Sequence, residues 1–459
     1  MSAGYQVRST ESPVASASES TVVFAPVPVP VDQRRIATGA DMYALVGEMY
    51  PLCRSITGNG VRATLDIISR SLTLQVREVP TGTSVLDWTV PREWNITDAY
   101  IATADGRRIV DFRRSNLHVV GYSVPVNATM TLAELRPHLH TLPDQPDLVP
   151  YRTSYYAETW GFCLAQSVLD TMSEDETYHV RIDSSLVDGS LTYGEHVVPG
   201  RVGDEVIVSC HVCHPSLAND NLAGIAVAVA LAQRLAELDT HYTYRFLFMP
   251  GTIGAITWLA GNADRVPRIA HGLVLACAGD RGSLTYKRSR RGTAGIDRAM
   301  AHVLRASGRP HEIVEFSPYG YDERQFCSPG YNLGVGNLSR TPYARYPEYH
   351  TSGDDLDLVC PESMTDTLDT CTAALRLLDR DHRYVNLRPF GEPQLGRRGL
   401  YDSLGGRSDA KDAQLAMLWV LNLSDGENSL LDIAERSGFA FDTVADTAQV
   451  LVNAGLLSR

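Results

Sequence analysis

Met42, Leu45, Val46 and Met49 share one helical face, which predicts a helix that Pro51 ends. Val61, Leu65, Ile68 and Leu72 repeat that period after Gly60 and predict a second helix. From about residue 73 to 150 the period changes. Short alternating runs at 74–79, 99–102 and 117–122 stand between turns rich in Gly, Pro, Asn and Asp, the pattern of an antiparallel β-rich unit. Helical segments precede it and an α/β pattern follows, so it reads as an insertion. In the centre, strands are predicted at 206–210, 244–249 and 273–277, and helices at 221–238, 252–260 and 296–306. Strands alternating with helices imply a mixed or parallel sheet covered on both faces. A helix over 361–379 closes the region.

The two ends differ from this core. Residues 1–37 include APVPVPVDQ, whose alternate prolines block helix and sheet ladder alike, so a disordered or strap-like extension is expected. Beyond 384, an apolar helix at 414–421 precedes a helix and turn at 429–438 and a further helix at 441–456. That spacing suits helix-turn-helix geometry and predicts a winged-helix-like domain over 384–459. Its last helix, FDTVADTAQVLVNAGL, holds two acids and no Lys or Arg. A groove reader without phosphate contacts lacks its main source of affinity, so packing or homo-oligomerisation is expected there, not nucleic-acid binding. The layout is then an α/β domain from 38–72 and 151–383, an insertion at 73–150, and the tail.

Composition narrows the functional classes. A length of 459 residues calls for more than one domain, and 44% apolar with 21% charged residues is an ordinary globular balance. The net charge of −13 argues against nucleic-acid and anionic-membrane surfaces. No apolar run approaches the ~18 residues of a membrane span. The start shows no basic segment leading into an apolar core, so a cytoplasmic chain with reduced thiols is expected. Of the eight cysteines only Cys210 and Cys213 lie close together, which does not make a four-thiolate zinc cluster.

The chemistry gathers at the ends of the predicted strands. HVCHPSLANDNLAG, from His211 to Gly224, forms the loop between a strand and a helix. In open α/β sheets ligands bind outside the carboxyl ends of the strands. The segment offers imidazole and carboxylate, the donors zinc requires. Asp280 follows the strand ending at Cys277, and His350 lies in YPEYHTSGDD before the closing helix. A buried strand that delivers an acid costs several kcal/mol unless that charge is paired, hydrogen-bonded or metal-bound. Ordinary hydrogen-bonded loops are the plainer alternative. Tyr155, Tyr156 and Trp160 could wall a pocket or pack in a core.

Taken in order, LCRSITGNG, LDWTVPREWNI, CHPSLANDNLAG, TYRFLFMPGTIGAITWL, AGD, DERQFCSPG and YPEYHTSGDDL resemble the aminopeptidase-like proteins of bacterial polysaccharide and natural-product gene clusters. Those proteins are similar to zinc aminopeptidases and often carry a winged-helix tail. The resemblance spans about residues 40–459. It implies a zinc-aminopeptidase-type α/β fold and zinc held by Asp220, Asp280, His350 and either His211 or His214. Asp220 matches the metal-bridging Asp within Asp220-Asn221-Leu222-Ala223-Gly224. His211 sits at the strand end, where such enzymes place their first ligand, but Cys213 replaces the Asp usual two residues later.

One departure bears on activity. Zinc aminopeptidases carry two consecutive Glu residues after the central strand, a general base and a metal ligand, and the aminopeptidase-like relatives keep the base. Here the run is Pro250-Gly251-Thr252, so glycine stands at the base position. A positioned acid–base group contributes about 10² to 10⁴ in rate. Glu348 and Glu323 are the candidate replacements, and Asp322, Arg324 and Tyr349 the expected substrate-binding residues. The expectation is zinc-dependent hydrolysis of an aminoacyl or amide bond in a small intermediate. Gly251 leaves two alternatives: cyclisation, transfer or isomerisation in the same pocket, or a non-catalytic assembly protein.

Overall fold

The computed structural model describes residues 33–400 and 409–459. The expected extension therefore lies, up to residue 32, outside the described residues. Its last part is tied down, because Ile36 is buried and its N–H donates to Gln233 Oε1 at 2.8 Å.

An eight-stranded mixed sheet runs in the order Gln75–Pro80, Ser190–Val198, Thr243–Met249, Glu205–His211, Ile269–Leu275, Val335–Ser339, Leu284–Lys287, His311–Val314. The strands from Thr243–Met249 to Val335–Ser339 are mutually parallel. Every residue of Glu205–His211 is buried, as a strand covered on both faces requires. Alternation divides the core in two. Val206, Val208, Cys210, Phe246 and Phe248 meet the helix Gly224–Ala236 on one face, while Ile207, Leu247 and Met249 meet the helix Ile253–Gly261 on the other. Gly39–Met49, Gly295–Ala306 and Pro361–Arg380 complete the first helical layer. The helix Gly39–Met49 starts where Thr38 and Asp41 form a capping box, and it buries the four apolar residues whose spacing predicts it.

A four-stranded antiparallel sheet, Arg108–Asp111, Glu93–Thr103, Thr177–Val187, Val126–Thr131, packs against the second face. The insertion thus has a different extent from the expected 73–150. Gln75–Pro80 is the edge of the main sheet, paired with Ser190–Val198, and Thr177–Val187 is an inner strand of the inserted sheet. Local alternation marks a strand but not its partner. The run 117–122 is no strand either: a 3₁₀ turn at Asn116–His118 leads to single bridges from Val119 to Phe162 and from Gly121 to Thr153.

The tail is a winged helix, with helices Asp409–Leu423, Leu430–Ser437 and Phe441–Asn453 beside a three-stranded sheet of Asp425–Ser429, Arg383–Asn386 and Leu457–Ser458. The acids of its last helix turn toward the larger domain, where Arg380 pairs with Asp442 at 2.8 Å and with Asp446. Among the described residues no helix is long and apolar enough to cross a membrane.

Candidate metal centre and its cleft

Glu205–His211 ends at the carboxyl edge of the sheet, and His211 is its last residue. The chain then loops through His214 into the irregular turn Ala218–Ala223, which holds Asp220. His350 arrives from the distant loop before Pro361–Arg380. These pieces meet on one carboxylate. His211 Nε2 lies 2.8 Å and His214 Nδ1 3.7 Å from Asp220 Oδ1, and His350 Nε2 lies 3.1 Å from Oδ2. The rings of His214 and His350 are 5.1 Å apart. One donor atom each from His211, His214 and Asp220 fits within 4.8 Å. Both histidines between which the sequence leaves the first position open therefore face the same carboxylate.

The loop is fastened on every side. Asp354 accepts the backbone N–H groups of Asn219 and Asp220 at 2.6 and 3.0 Å. Asn221 donates to the Leu275 carbonyl and accepts from the Cys277 N–H, which ties the turn to the neighbouring strand. Arg54, from the LCRSITGNG segment, is buried and donates to the His214 carbonyl at 2.8 Å. Tyr151 sets its ring edge-on to both His214 and His350. Asp354, Arg54, Tyr151 and Cys277 are absent from the expected site residues: Arg54 and Asp354 lie inside the LCRSITGNG and YPEYHTSGDDL segments, but the partners of all four are reached only across long stretches of chain.

Burial and the field of the cluster favour a neutral His214 beside an ionised Asp220. Burial pushes the His214 ring well below its usual value, and the other two histidines and Arg54 push the same way against Asp220. Burial would raise the Asp220 carboxyl, but His214 and the bonds from His211 and His350 hold it well below the carboxylate range. Nδ1 of His211 and of His214 are buried without a hydrogen-bond partner. Buried polar atoms seldom stay unpaired, and three imidazoles around one carboxylate are a donor set that suits zinc.

Other expected site residues lie elsewhere. Asp280, like His350, falls outside the 4.8 Å cluster, but where His350 reaches Asp220 at 3.1 Å the oxygens of Asp280 accept from Asn219, Gly282 and Thr341, so it positions Asn219. The strand ends at Leu275 and the chain turns at Cys277 (φ 50°), which carries Asp280 past the sheet edge. Glu323 is fully buried in an ion pair with Lys287 at 2.5 Å and accepts from the Tyr321 N–H, so it is not an open base. Glu348 packs on Gly353 of its own loop and does not line the cleft. Asp322 accepts the Thr252 N–H at 2.7 Å, and burial pushes its carboxyl up to about 6; neither it nor Arg324 lines the cleft. Tyr349 does, stacked on His350 at 3.9 Å. Tyr155 and Tyr156 also line it, while Trp160 stacks on His138 away from it.

The space beside Gly251, where the resemblance places a base, is filled by Tyr321. A Cβ on Gly251 would lie 1.9 Å from the Tyr321 hydroxyl, so no side chain fits there while the phenol does. The hydroxyl lies 3.3 Å from Cys213 Sγ, and the Gly251 N–H donates to that same sulfur. Burial raises the phenol well above its ordinary value. Tyr321, His214 and His350 share the wall of a cleft of about 620 Å³, an ordinary size for a small-molecule site.

The doubly covered sheet, its strand-end cluster and the helical layers define an α/β domain of the zinc-aminopeptidase type with a winged-helix tail. A zinc aminopeptidase from Bacillus subtilis superposes with a TM-score of 0.56 at 13% identity, over 74% of this chain and 95% of that one. The chain belongs to the family described as domain of unknown function DUF4910, matched over residues 43–381, and residues 382–459 match a winged helix-turn-helix family. A Clostridium acetobutylicum protein named for polysaccharide biosynthesis, with an aminopeptidase-like domain, is 49% identical over 425 residues, 93% of this chain and 98% of its own length. A crystal structure from that organism, of a protein named as a peptidase, superposes with a TM-score of 0.86 at 47% identity, over 92% and 96% of the two chains.

Proposed function

We propose that this chain is a zinc-dependent enzyme that transfers the acyl group of an aminoacyl or amide bond in a small biosynthetic intermediate to a nucleophile other than water. His211, His214, Asp220 and His350 would hold one zinc, which supplies a Lewis acid for the carbonyl. The observation that carries the non-hydrolytic reading is the Tyr321 hydroxyl where a base carboxylate would need to stand. A phenol is protonated at neutral pH, so it donates a hydrogen bond to an oxygen gaining charge and does not draw a proton from water. Among the described residues no Asp or Glu lines the cleft to do so in its place.

In the balanced step, an unprotonated amine of the substrate, which needs no base to become nucleophilic, attacks the carbonyl carbon and the bond to the leaving nitrogen or oxygen breaks. The proton of the nucleophile departs on that leaving group, and no water is consumed. Tyr321 orients the carbonyl, while Tyr349 and Tyr155 wall the cleft. The name of the Clostridium relative supports a role in polysaccharide biosynthesis.

Turnover in ¹⁸O-labelled water tests this. With a candidate aminoacyl intermediate, the product should carry no label by mass spectrometry. Label in a product carboxylate would make the enzyme a hydrolase after all. A protein that binds no zinc would fit the assembly role.

A further inference from the structure

The cleft reverses the charge of the molecule around it. The chain carries a net charge of −13, yet among the described residues no Asp or Glu lines this pocket, Asp220 being buried behind His214 and His350, and Arg152 is exposed in its wall. Arg152 makes no ion pair among the described residues. The substrate of an aminopeptidase offers a free α-ammonium, which a carboxylate must meet. Here a guanidinium waits instead, with the forked donors that match a carboxylate.

The backbone that carries Arg152 is fixed relative to the metal centre. The Tyr151 N–H, next in the chain, donates to the His350 carbonyl at 2.7 Å. The Ser352 N–H donates to Val149 O at 2.8 Å, and the Val149 N–H to Ser352 Oγ at 3.0 Å. The segment that carries Arg152 is therefore hydrogen-bonded along the loop that carries His350, and the two side chains open into one cavity.

An aromatic pair stands at the same mouth. Trp88 belongs to the tight hairpin between Ser84–Val85 and Trp88–Thr89 of the inserted unit. Its ring lies 5.7 Å from that of Tyr156 at 59°, and the two residues are 41% and 51% exposed. Large aromatic side chains left open at a cleft, beside the apolar Ile56 and Ile253, offer a face on which a ring can lie.

We infer that the cleft takes a substrate built on a six-membered ring that carries a carboxylate, with the ring against Trp88 and Tyr156 and the carboxylate on Arg152. This rests on the reading that the cleft is the reaction site, and it names the class of substrate. Two sources share that chemistry, an acidic sugar and an aryl acid.

The test is calorimetric titration of the metal-free full chain with D-glucuronate, benzoate and D-glucose, so that no carboxylate is captured by zinc. At least one acid should bind more tightly than glucose. Arg152→Gln should weaken that binding on the order of tenfold, Arg152→Lys less so, and Trp88→Ala should weaken it as well. A preference for glucuronate assigns an acidic sugar, and a preference for benzoate an aryl acid. If neither acid binds, or if Arg152→Gln binds both as the parent does, the inference is overturned. Zinc analysis of the same samples keeps the two proposals apart: acid binding without zinc affinity removes the metal reading alone, and zinc affinity without acid binding removes this one.

Discussion

The strand Glu205–His211 carries a buried charged cluster at each end, and the two are built differently. At its start, Arg245 grips Glu205 through Nε and Nη2 at 2.7 and 3.1 Å and Glu195 through Nη1 at 2.6 Å, while Arg265 adds a bond of 2.8 Å to Glu205. No atom of Arg245, Glu195 or Glu205 is among the buried atoms left unpaired. At its end, Asp220 gathers three imidazoles, and Nδ1 of two of them stays bare. Desolvating an ion costs several kcal/mol, and the first cluster offsets this by closing on itself. The second has donors on every side and too little positive charge at its middle. Burial of charge is common to both; three imidazoles converging on one carboxylate, with the unpaired His214 Nδ1 3.7 Å from it, distinguish the site.

The largest effects should separate the two ends. Asp220→Asn should abolish zinc binding, from about one ion per chain to none by elemental analysis, and bring acyl transfer to background. Arg245→Met should leave the zinc content of the folded protein unchanged. It leaves Glu205 with Arg265 alone and Glu195 with only Arg77 at 4.0 Å, so it should cost about 2–3 kcal/mol in urea unfolding. If both variants lost zinc equally, the two clusters would be one system and the contrast would fail.

Next in size is the chemistry at Gly251. Gly251→Glu alone should lower stability and give no activity, because its Cβ meets the Tyr321 ring. Gly251→Glu with Tyr321→Ser opens that space and restores a carboxylate at the base position. Hydrolysis of an aminoacyl-arylamide should then rise by about 10² to 10⁴ over the parent, measured as initial rate on the zinc-loaded protein. A double variant that folds, holds zinc and hydrolyses no faster would mean that Tyr321 does not decide the reaction.

The same contrast explains what the sequence discloses. The period-2 and period-3.6 patterns place the central strands and helices, because local burial on two faces writes itself into the chain. They do not place Thr177–Val187 in the inserted sheet, since pairing across some eighty residues leaves no local mark. His211, Asp220 and His350 are legible as polar residues at strand ends and in the loop before the last helix. Asp280 is a strand-end acid by the same logic, yet it spends its oxygens on Asn219, Gly282 and Thr341. Gly251 is legible as a loss, whereas its filling by Tyr321 is not, because the two are brought together only by the folded loop.

The smallest prediction sharpens the criterion itself. His271, on the strand beside Glu205–His211, also has a buried Nδ1 with no partner, but its ring faces Tyr242 at 5.5 Å and among the described residues no carboxylate or second histidine converges on it. A bare imidazole in isolation is a cost rather than a site. Burial, with the field of Arg291, pushes its pKa down to about 4. Unfolded, the ring binds a proton near 6.5, so the unfolded state gains protons first as the pH falls. The stability contributed by the neutral ring is therefore complete above pH 6.5, shrinks between 6.5 and 4, and is gone below that. By pH 4.5 the loss should be roughly 2–3 kcal/mol. Urea unfolding of the parent and of His271→Gln at pH 7.5 and 4.5 reads it directly: the variant should lose less on acidification by about that amount. An equal loss in both would place the acid sensitivity on other groups and leave His271 no different from a solvated histidine.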